Sequence, residues 1–196
     1  MRTIVWDVDD VLNSLMHDWL ELEWRPAHPE CTRGYADIST NPPLEALGIT
    51  SAEYLDSLDR FRLSDQARDM EPNPETLAWF RCHGARYRHI ALTARPLAMA
   101  PAAAEWALRR FGAYIRVFAV TPCRSLPGEP FYGAGKGEFL EWWSKGDILV
   151  DDSAENIEAA ARVGIRGALF PQPWNGAAST QREALQRLAE IASELL

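Results

Sequence analysis

The sequence predicts an α/β protein, a three-layer α/β/α sandwich built around a parallel sheet. Short apolar segments of strand length alternate with longer segments of helical spacing through most of the chain. Strands and helices that alternate in this way form βαβ crossovers, which place helices on both faces of one sheet. In addition, two apolar segments near opposite ends of the chain break abruptly into aspartates. That pattern is typical of buried parallel strands that end at the carboxyl edge of a sheet.

Most predicted elements have a local signal at their start or end. Asn73 and Pro74 are a favoured N-cap and first residue of a helix, and Ser153 is a favoured N-cap for a later helix. Gly112 and Gly164 end predicted helices. The predicted strands are residues 3–8, 87–92, 114–120, 147–150 and 165–170. The predicted helices are residues 12–24, 73–82, 98–111, 136–144, 153–163 and 180–196.

Aspartates follow the first and the fourth predicted strands. Asp7 and Asp9 lie at the end of the first strand, and Asp151 and Asp152 directly follow the fourth. If the two strands are neighbours, these carboxylates meet at the sheet edge where α/β proteins bind ligands. Their mutual repulsion then requires a divalent cation. The alternative is that they only cap the following helices, since carboxylates favour helix N-termini. Capping accounts poorly for both acidic phrases together, so the sequence favours a metal site.

Two further residues complete a pattern that runs along the chain. Thr93 ends the second predicted strand, and Lys136 lies upstream of the second acidic pair. With the two acidic pairs, this order resembles the haloacid dehalogenase superfamily, whose members are mostly Mg²⁺-dependent phosphatases with an aspartate nucleophile. The resemblance covers roughly residues 1–14 and 72–175, and it implies a Rossmann-like core.

The resemblance implies roles for the four aspartates. Asp7 would be the nucleophile that forms an aspartyl-phosphate, and Asp9 would be the general acid and then the general base. Both would bind Mg²⁺, Asp9 through its main-chain carbonyl group. Asp151 and Asp152 would complete the metal shell, and the sequence leaves open which of them binds directly.

Residues after the second strand and before the fourth are predicted to hold the substrate. Thr93 would donate hydrogen bonds to the transferring phosphoryl group, and Lys136 would offset its charge. Lys145 is the alternative for the second role, but it precedes the fourth strand at the opposite edge of the sheet. Arg95 could reach the substrate or form a salt bridge with Asp10. The predicted substrate-binding residues are Thr93, Ala94, Arg95 and Lys136.

The superfamily inserts a cap over the site after the first strand, and this chain changes composition at that point. Residues 15–71 are the predicted small, mainly helical cap, and residues 1–14 and 72–196 are the predicted core. Aromatic residues in or near the insertion could stack on a nucleobase, although packing in the core is the alternative. These residues are Trp19, Trp24, Tyr35 and Phe61.

A narrower resemblance lies at residues 170–175, which read Phe-Pro-Gln-Pro-Trp-Asn. The phrase is similar to a turn in the 5'(3')-deoxyribonucleotidase branch, which implies a nucleoside monophosphate as substrate. A departure is Asp10, because that branch usually has Gly there. The alternatives are a phosphatase for a sugar phosphate or another small phosphometabolite, and a non-catalytic binding protein on the same fold.

The composition excludes several classes of protein. The net charge of −8, from 28 acidic and 20 basic residues, argues against a surface for duplex nucleic acid. The sequence shows no apolar run of the roughly 18 residues that span a membrane, and we expect no signal peptide. Cys31, Cys82 and Cys123 suggest neither a disulfide framework nor a zinc site. We therefore expect a cytoplasmic protein that acts on a small phosphorylated substrate, with a homodimer left open.

Overall fold

The computed structural model describes residues 1–122, 124 and 135–194, so Cys123 and the end of the predicted C-terminal helix lie outside the described residues. Within them the chain forms a five-stranded parallel sheet with the order β3-β2-β1-β4-β5. The strands are β1 (Thr3–Asp7), β2 (Arg88–Thr93), β3 (Ile115–Val120), β4 (Ile148–Asp151) and β5 (Arg166–Leu169). Helices flank this sheet, which confirms the predicted sandwich.

The helices follow the predicted order. Those of the insertion are α1 (Leu15–Trp19), α2 (Arg25–Ala27), α3 (Leu44–Leu47), α4 (Ser51–Leu63) and α5 (Asp65–Asp69), and a π-helical segment, Leu20–Trp24, joins α1 to α2. The remaining helices are α6 (Pro74–His83), α7 (Ala100–Phe111), α8 (Lys136–Trp143), α9 (Ala154–Arg162) and α10 (Gln181–Glu194). No helix of the described residues is long and apolar enough to cross a membrane.

Strand β1 lies at the centre of the sheet, and all of its residues are buried. It pairs with β2 on one side and with β4 on the other, so the chain order of the strands reverses here. The register places Asp7 beside Leu92, and Trp6 beside Val150. The residues that follow these strands therefore meet above the carboxyl end of β1, which is the topological switch point where open α/β sheets bind ligands.

The start of the first helix was predicted wrongly. The pattern favours a helix from residue 12, but α1 begins at Leu15. Asp10 has a φ of 61°, which lies in the left-handed region and interrupts a right-handed helix. The side-chain oxygen of Asn13 accepts the backbone N–H groups of Asp10 and Leu15 at 3.1 Å each. These local hydrogen bonds favour a turn over the first helical turn.

The insertion packs into the same hydrophobic cluster as the sheet, and several of its aromatic residues are part of that cluster. Trp19 and Phe61 are fully buried, and Trp24 is nearly so. Trp19 Nε1 donates to Ser57 Oγ at 3.1 Å, which satisfies its polar atom inside the core. These three aromatic rings therefore pack in the core. That is the alternative that the sequence left open to stacking on a nucleobase. The division of the chain at residues 14 and 71 stays a prediction.

Candidate active site

Asp7, Lys136 and Asp151 form a buried ion-pair cluster at the end of β1. Lys136 Nζ lies 2.6 Å from Asp7 Oδ1 and 2.6 Å from Asp151 Oδ2. The lysine side chain is 2% exposed, so both contacts are shielded from water. Lys136 is the first residue of α8, and Asp7 and Asp151 end adjacent strands. Lys145, the alternative in the sequence, is exposed and precedes β4.

The acidic residues carry more negative charge than Lys136 offsets. Ligand oxygens of Asp7, Asp151 and Asp152 all lie within 4.8 Å of one another. Burial and the neighbouring carboxylates raise the pKa of Asp7 well above its usual value, against the lowering effect of Lys136. Burial, Asp10 and Asp151 raise the pKa of Asp152 to about 7. Three converging carboxylates with such a charge excess are a hard, oxygen-rich donor set that fits Mg²⁺.

Asp9 lies on the other side of the site, between arginines. Arg95 Nε lies 2.9 Å from Asp9 Oδ2, and Arg95 Nη2 lies 2.5 Å from Oδ1. Arg62, from α4, adds a contact from Nη2 to Asp9 Oδ2 at 3.2 Å. Burial alone would raise the pKa of Asp9, but Arg95 and Arg62 together with Asn13 lower it to about 2. The alternative prediction, that Arg95 forms a salt bridge with Asp10, is wrong, since its guanidinium group pairs with Asp9.

The backbone of Asp10 explains why glycine suits this position. A φ of 61° is open to Gly and is tolerated by Asp when its side chain makes local hydrogen bonds. Asp10 Oδ1 accepts the backbone N–H of Met16 at 2.9 Å. Burial raises the pKa of Asp10 well above its usual value, and the negative charges of Asp9 and Asp7 add to that rise. The hydrogen bond from Met16 to Asp10 thus links the turn to α1.

The phrase at residues 170–175 contacts the acidic loops. Trp174 Nε1 donates to Asp152 Oδ2 at 2.8 Å, and Asn175 Nδ2 donates to the Asp152 carbonyl at 2.8 Å. Gln172 Nε2 donates to the Asp10 carbonyl, and Gln172 Oε1 accepts the hydroxyl group of Tyr35 at 2.6 Å. The phrase therefore holds the loops after β1 and β4 in place, and Tyr35 belongs to this support.

These elements line a half-open cavity of ≈ 160 Å³. Thr93 is buried in its wall, and its Oγ1 accepts the backbone N–H of Arg95 at 3.2 Å, which leaves the hydroxyl proton for a ligand. The predicted residues on the wall are Asp7, Asp9, Thr93, Ala94, Arg95, Lys136 and Asp152. Asp151 is fully buried beside Lys136 and does not line the cavity. The insertion contributes Leu15, Met16, Asn41, Tyr54, Leu58 and Arg62.

Arg62 is a charged residue of the cavity wall that the sequence did not identify as part of the site. It belongs to no motif and lies 53 positions from its partner Asp9. Helical spacing is the one sequence feature that could have indicated its inward position, because Arg62 follows the buried Leu58 by one turn and lies on the same face of α4. An arginine on the inward face of α4 is a candidate for contact with a charged group.

No protein-family model and no curated protein matches this chain. Solved structures match it over nearly its whole length. A haloacid dehalogenase-like hydrolase from Streptococcus pneumoniae shares 10% identity at a TM-score of 0.57, covering 100% of this chain and 99% of that one. A HAD-superfamily hydrolase of subfamily IA from Geobacter sulfurreducens shares 15% identity at 0.52, covering 96% of each chain. Protein tyrosine kinase A of Mycobacterium tuberculosis shares 16% identity at 0.62, covering 96% and 97%. The chain therefore has the fold of haloacid dehalogenase-like hydrolases.

Proposed function

We propose that this protein is a Mg²⁺-dependent phosphomonoester hydrolase that works through an aspartyl-phosphate on Asp7. The observation that carries the proposal is the buried group of Asp7, Lys136, Asp151 and Asp152 at the switch point of the sheet. An excess of buried carboxylates would not stabilise the fold, since burial of each carboxylate is costly without a counter-charge. A site that takes up a cation and a phosphate needs that excess.

Asp7, Asp152 and the main-chain carbonyl group of Asp9 would hold the metal ion. Asp151 already accepts hydrogen bonds on both carboxylate oxygens, from Lys136 at 2.6 Å and from Asn156 at 3.0 Å. We therefore assign Asp152 as the direct ligand and Asp151 as the residue that orients Lys136. When bound, Mg²⁺ neutralises the charge of the phosphoryl oxygens and of the carboxylate that attacks them.

The reaction then follows from two carboxylates with different surroundings. A carboxylate oxygen of Asp7 attacks phosphorus, the bond from phosphorus to the leaving oxygen breaks, and the Asp9 carboxyl group protonates that oxygen. In the second half, Asp9 takes a proton from water, the water oxygen attacks phosphorus, and the bond to Asp7 breaks to release phosphate. Thr93 and Lys136 hold the phosphoryl oxygens through both steps. The arginine contacts of Asp9 favour its base form, so the acid form requires that these contacts loosen.

Metal dependence is the direct test of this function. The purified protein should hydrolyse 4-nitrophenyl phosphate with Mg²⁺, and a chelator should remove the activity reversibly. The carboxylate excess is the reason, because the phosphate dianion cannot approach it without a cation. Initial rates in a Mg²⁺ titration, before and after chelation, measure the effect. Full activity in exhaustively demetallated protein would contradict the metal assignment.

Two substrate classes fit this chemistry, and the cavity volume favours the smaller. The nucleotide hypothesis rests on residues 170–175, but the side chains of that phrase support the acidic loops and do not line the cavity. The cavity of ≈ 160 Å³ is also below the roughly 300 Å³ at which pockets for drug-sized ligands begin. We therefore propose a small phosphometabolite as the substrate, with a nucleoside monophosphate as the second candidate.

A substrate panel separates the two classes. We expect kcat/KM for glycerol 3-phosphate to exceed that for thymidine and uridine monophosphates by about tenfold or more, since a cavity of ≈ 160 Å³ does not hold a nucleobase and a sugar beside the phosphate. Glucose 6-phosphate, of intermediate size, should fall between them. A nucleotide preferred over both glycerol 3-phosphate and glucose 6-phosphate would support the nucleotidase hypothesis and leave the phosphatase function intact.

A further inference from the structure

Positive charge gathers on the side of the cavity that faces α4. Arg95 is 4% exposed and Arg62 is 13% exposed, and both contact the single carboxylate of Asp9. Arg62 also approaches Asp59 at 3.3 Å, but Arg124 forms its own ion pair with Asp59. In the part of the chain that the structure describes, this arginine cluster (Arg62, Arg95 and Arg124 with Asp9 and Asp59) has three guanidinium groups for two ion-paired carboxylates, and Asp10 lies on the same cavity wall.

The rest of the cavity has the opposite balance. On the β1 and β4 side, carboxylates outnumber Lys136, and a divalent cation fits them. The guanidinium groups of Arg62 and Arg95 lie on the other side, where both contact Asp9. A buried guanidinium group is costly when one of its donors lacks an acceptor.

Arg62 also has an unused donor. Its Nε is buried and has no hydrogen-bond partner among the described residues. Buried guanidinium donors normally find an acceptor, and a planar carboxylate accepts from the guanidinium fork in a bidentate manner. Arg62 lines the cavity, so a carboxylate bound there can accept hydrogen bonds from its guanidinium group.

We propose that Arg62, supported by Arg95, binds a carboxylate group of the substrate. The substrate is then a small phosphorylated hydroxy acid, whose phosphate faces Lys136 and Thr93 and whose carboxylate faces α4. The inference rests on the proposed phosphatase function and makes Arg62 its specificity-determining residue. A volume of ≈ 160 Å³ favours a carbon skeleton of a few atoms over one that carries a second phosphate.

The test compares two substrates that differ only in the second group. Phosphoglycolate carries a carboxylate where 2-hydroxyethyl phosphate carries a neutral CH₂OH group. The wild-type protein should prefer phosphoglycolate by about ten- to a hundredfold in kcat/KM, the range of a charge-assisted hydrogen bond. Arg62→Gln should remove most of that preference, chiefly through KM, and Arg62→Lys should restore part of it.

Arg60→Gln is the matched control. Arg60 lies on the same helix, is 59% exposed and pairs with Glu23 and Asp56 outside the cavity. Its replacement removes the same charge and should leave the substrate ratio unchanged. Calorimetric binding of 3-phosphonopropionate against 3-hydroxypropylphosphonate gives the same comparison without turnover, for variants whose activity is too low to measure.

The outcomes separate the two proposals. A wild-type protein without preference for the carboxylate overturns the role of Arg62, and so does an Arg62→Gln variant that loses both substrates by the same factor. In the second case Arg62 acts on the transferring phosphate or on Asp9. If the wild-type protein hydrolyses neither substrate, nor 4-nitrophenyl phosphate, the phosphatase function fails, and a carboxylate preference in phosphonate binding would still support Arg62.

Discussion

Replacement of Asp7 by Asn is expected to abolish phosphoenzyme formation and to lower kcat on the order of 10⁴-fold or more, because an amide cannot attack phosphorus. The variant should stay folded. Burial and neighbouring carboxylates raise the pKa of Asp7, so its charge is unfavourable in the native state, and Lys136 retains Asp151 as a partner at 2.6 Å. Mass spectrometry of acid-quenched protein would detect the added phosphoryl group, and thermal unfolding would check the fold.

Asp9→Asn should differ from Asp7→Asn in its dependence on the leaving group. The variant cannot protonate an alkoxide, so an alkyl phosphate should lose far more activity than 4-nitrophenyl phosphate, whose phenolate leaves unaided. Asp65→Asn is the control, since Asp65 is exposed and pairs only with Arg68 among the contacts described. If the Asp7 and Asp9 variants lost equal factors on both substrates, the division into nucleophile and acid/base would be contradicted.

The carboxyl ends of the strands were predictable because strand burial and strand ends are local signals. An apolar segment that breaks into Asp7 or Asp151 marks a sheet edge, and the parallel pairing of β1 with β2 and β4 brings these ends together. Each predicted strand differs from the observed strand by one residue at most at either end. The placement of Thr93 and Lys136 near Asp7 needed the family resemblance, because nothing in their spacing shows that they approach it.

The cap side of the site was not predictable in the same way. The contact of Arg62 with Asp9 depends on how α4 packs over the sheet, and no periodicity of the chain encodes that packing. The phrase at residues 170–175 shows a related limit. The resemblance of the phrase implied a nucleotide substrate, whereas the hydrogen bonds of Gln172 and Trp174 go to Asp10 and Asp152. A motif identifies residues that act together, but the structure decides whether they contact a ligand or hold a loop.

Lys136→Met should lower activity and make the stability of the fold depend on Mg²⁺. Lys136 is 2% exposed and is the counter-ion of Asp7 and Asp151, so its loss leaves buried carboxylates without a cation. Removal of one member of a buried ion pair typically costs about 3–5 kcal/mol. Saturating Mg²⁺ should recover much of that stability, whereas kcat should stay at least about a hundredfold lower, since the phosphoryl oxygens lose a charge partner. Lys145→Met, at an exposed lysine, is the control.

The pH dependence of the same variant gives an independent check. Burial and neighbouring carboxylates raise the pKa of Asp152 from its ordinary 3.8 to about 7 in the folded protein. The native state therefore keeps a proton that the unfolded chain has already released, and metal-free stability falls as pH rises between these values.

Lys136 has a raised pKa and is charged throughout this range, so it limits the loss of stability in the wild-type protein. Without it, the pKa values of Asp7 and Asp152 should rise further, so the decline in stability should continue to higher pH. Thermal unfolding from pH 4 to pH 9, with and without Mg²⁺, measures the pH at which the decline ends, and the same end point in the variant and the wild type would show that Lys136 does not neutralise the acidic cluster.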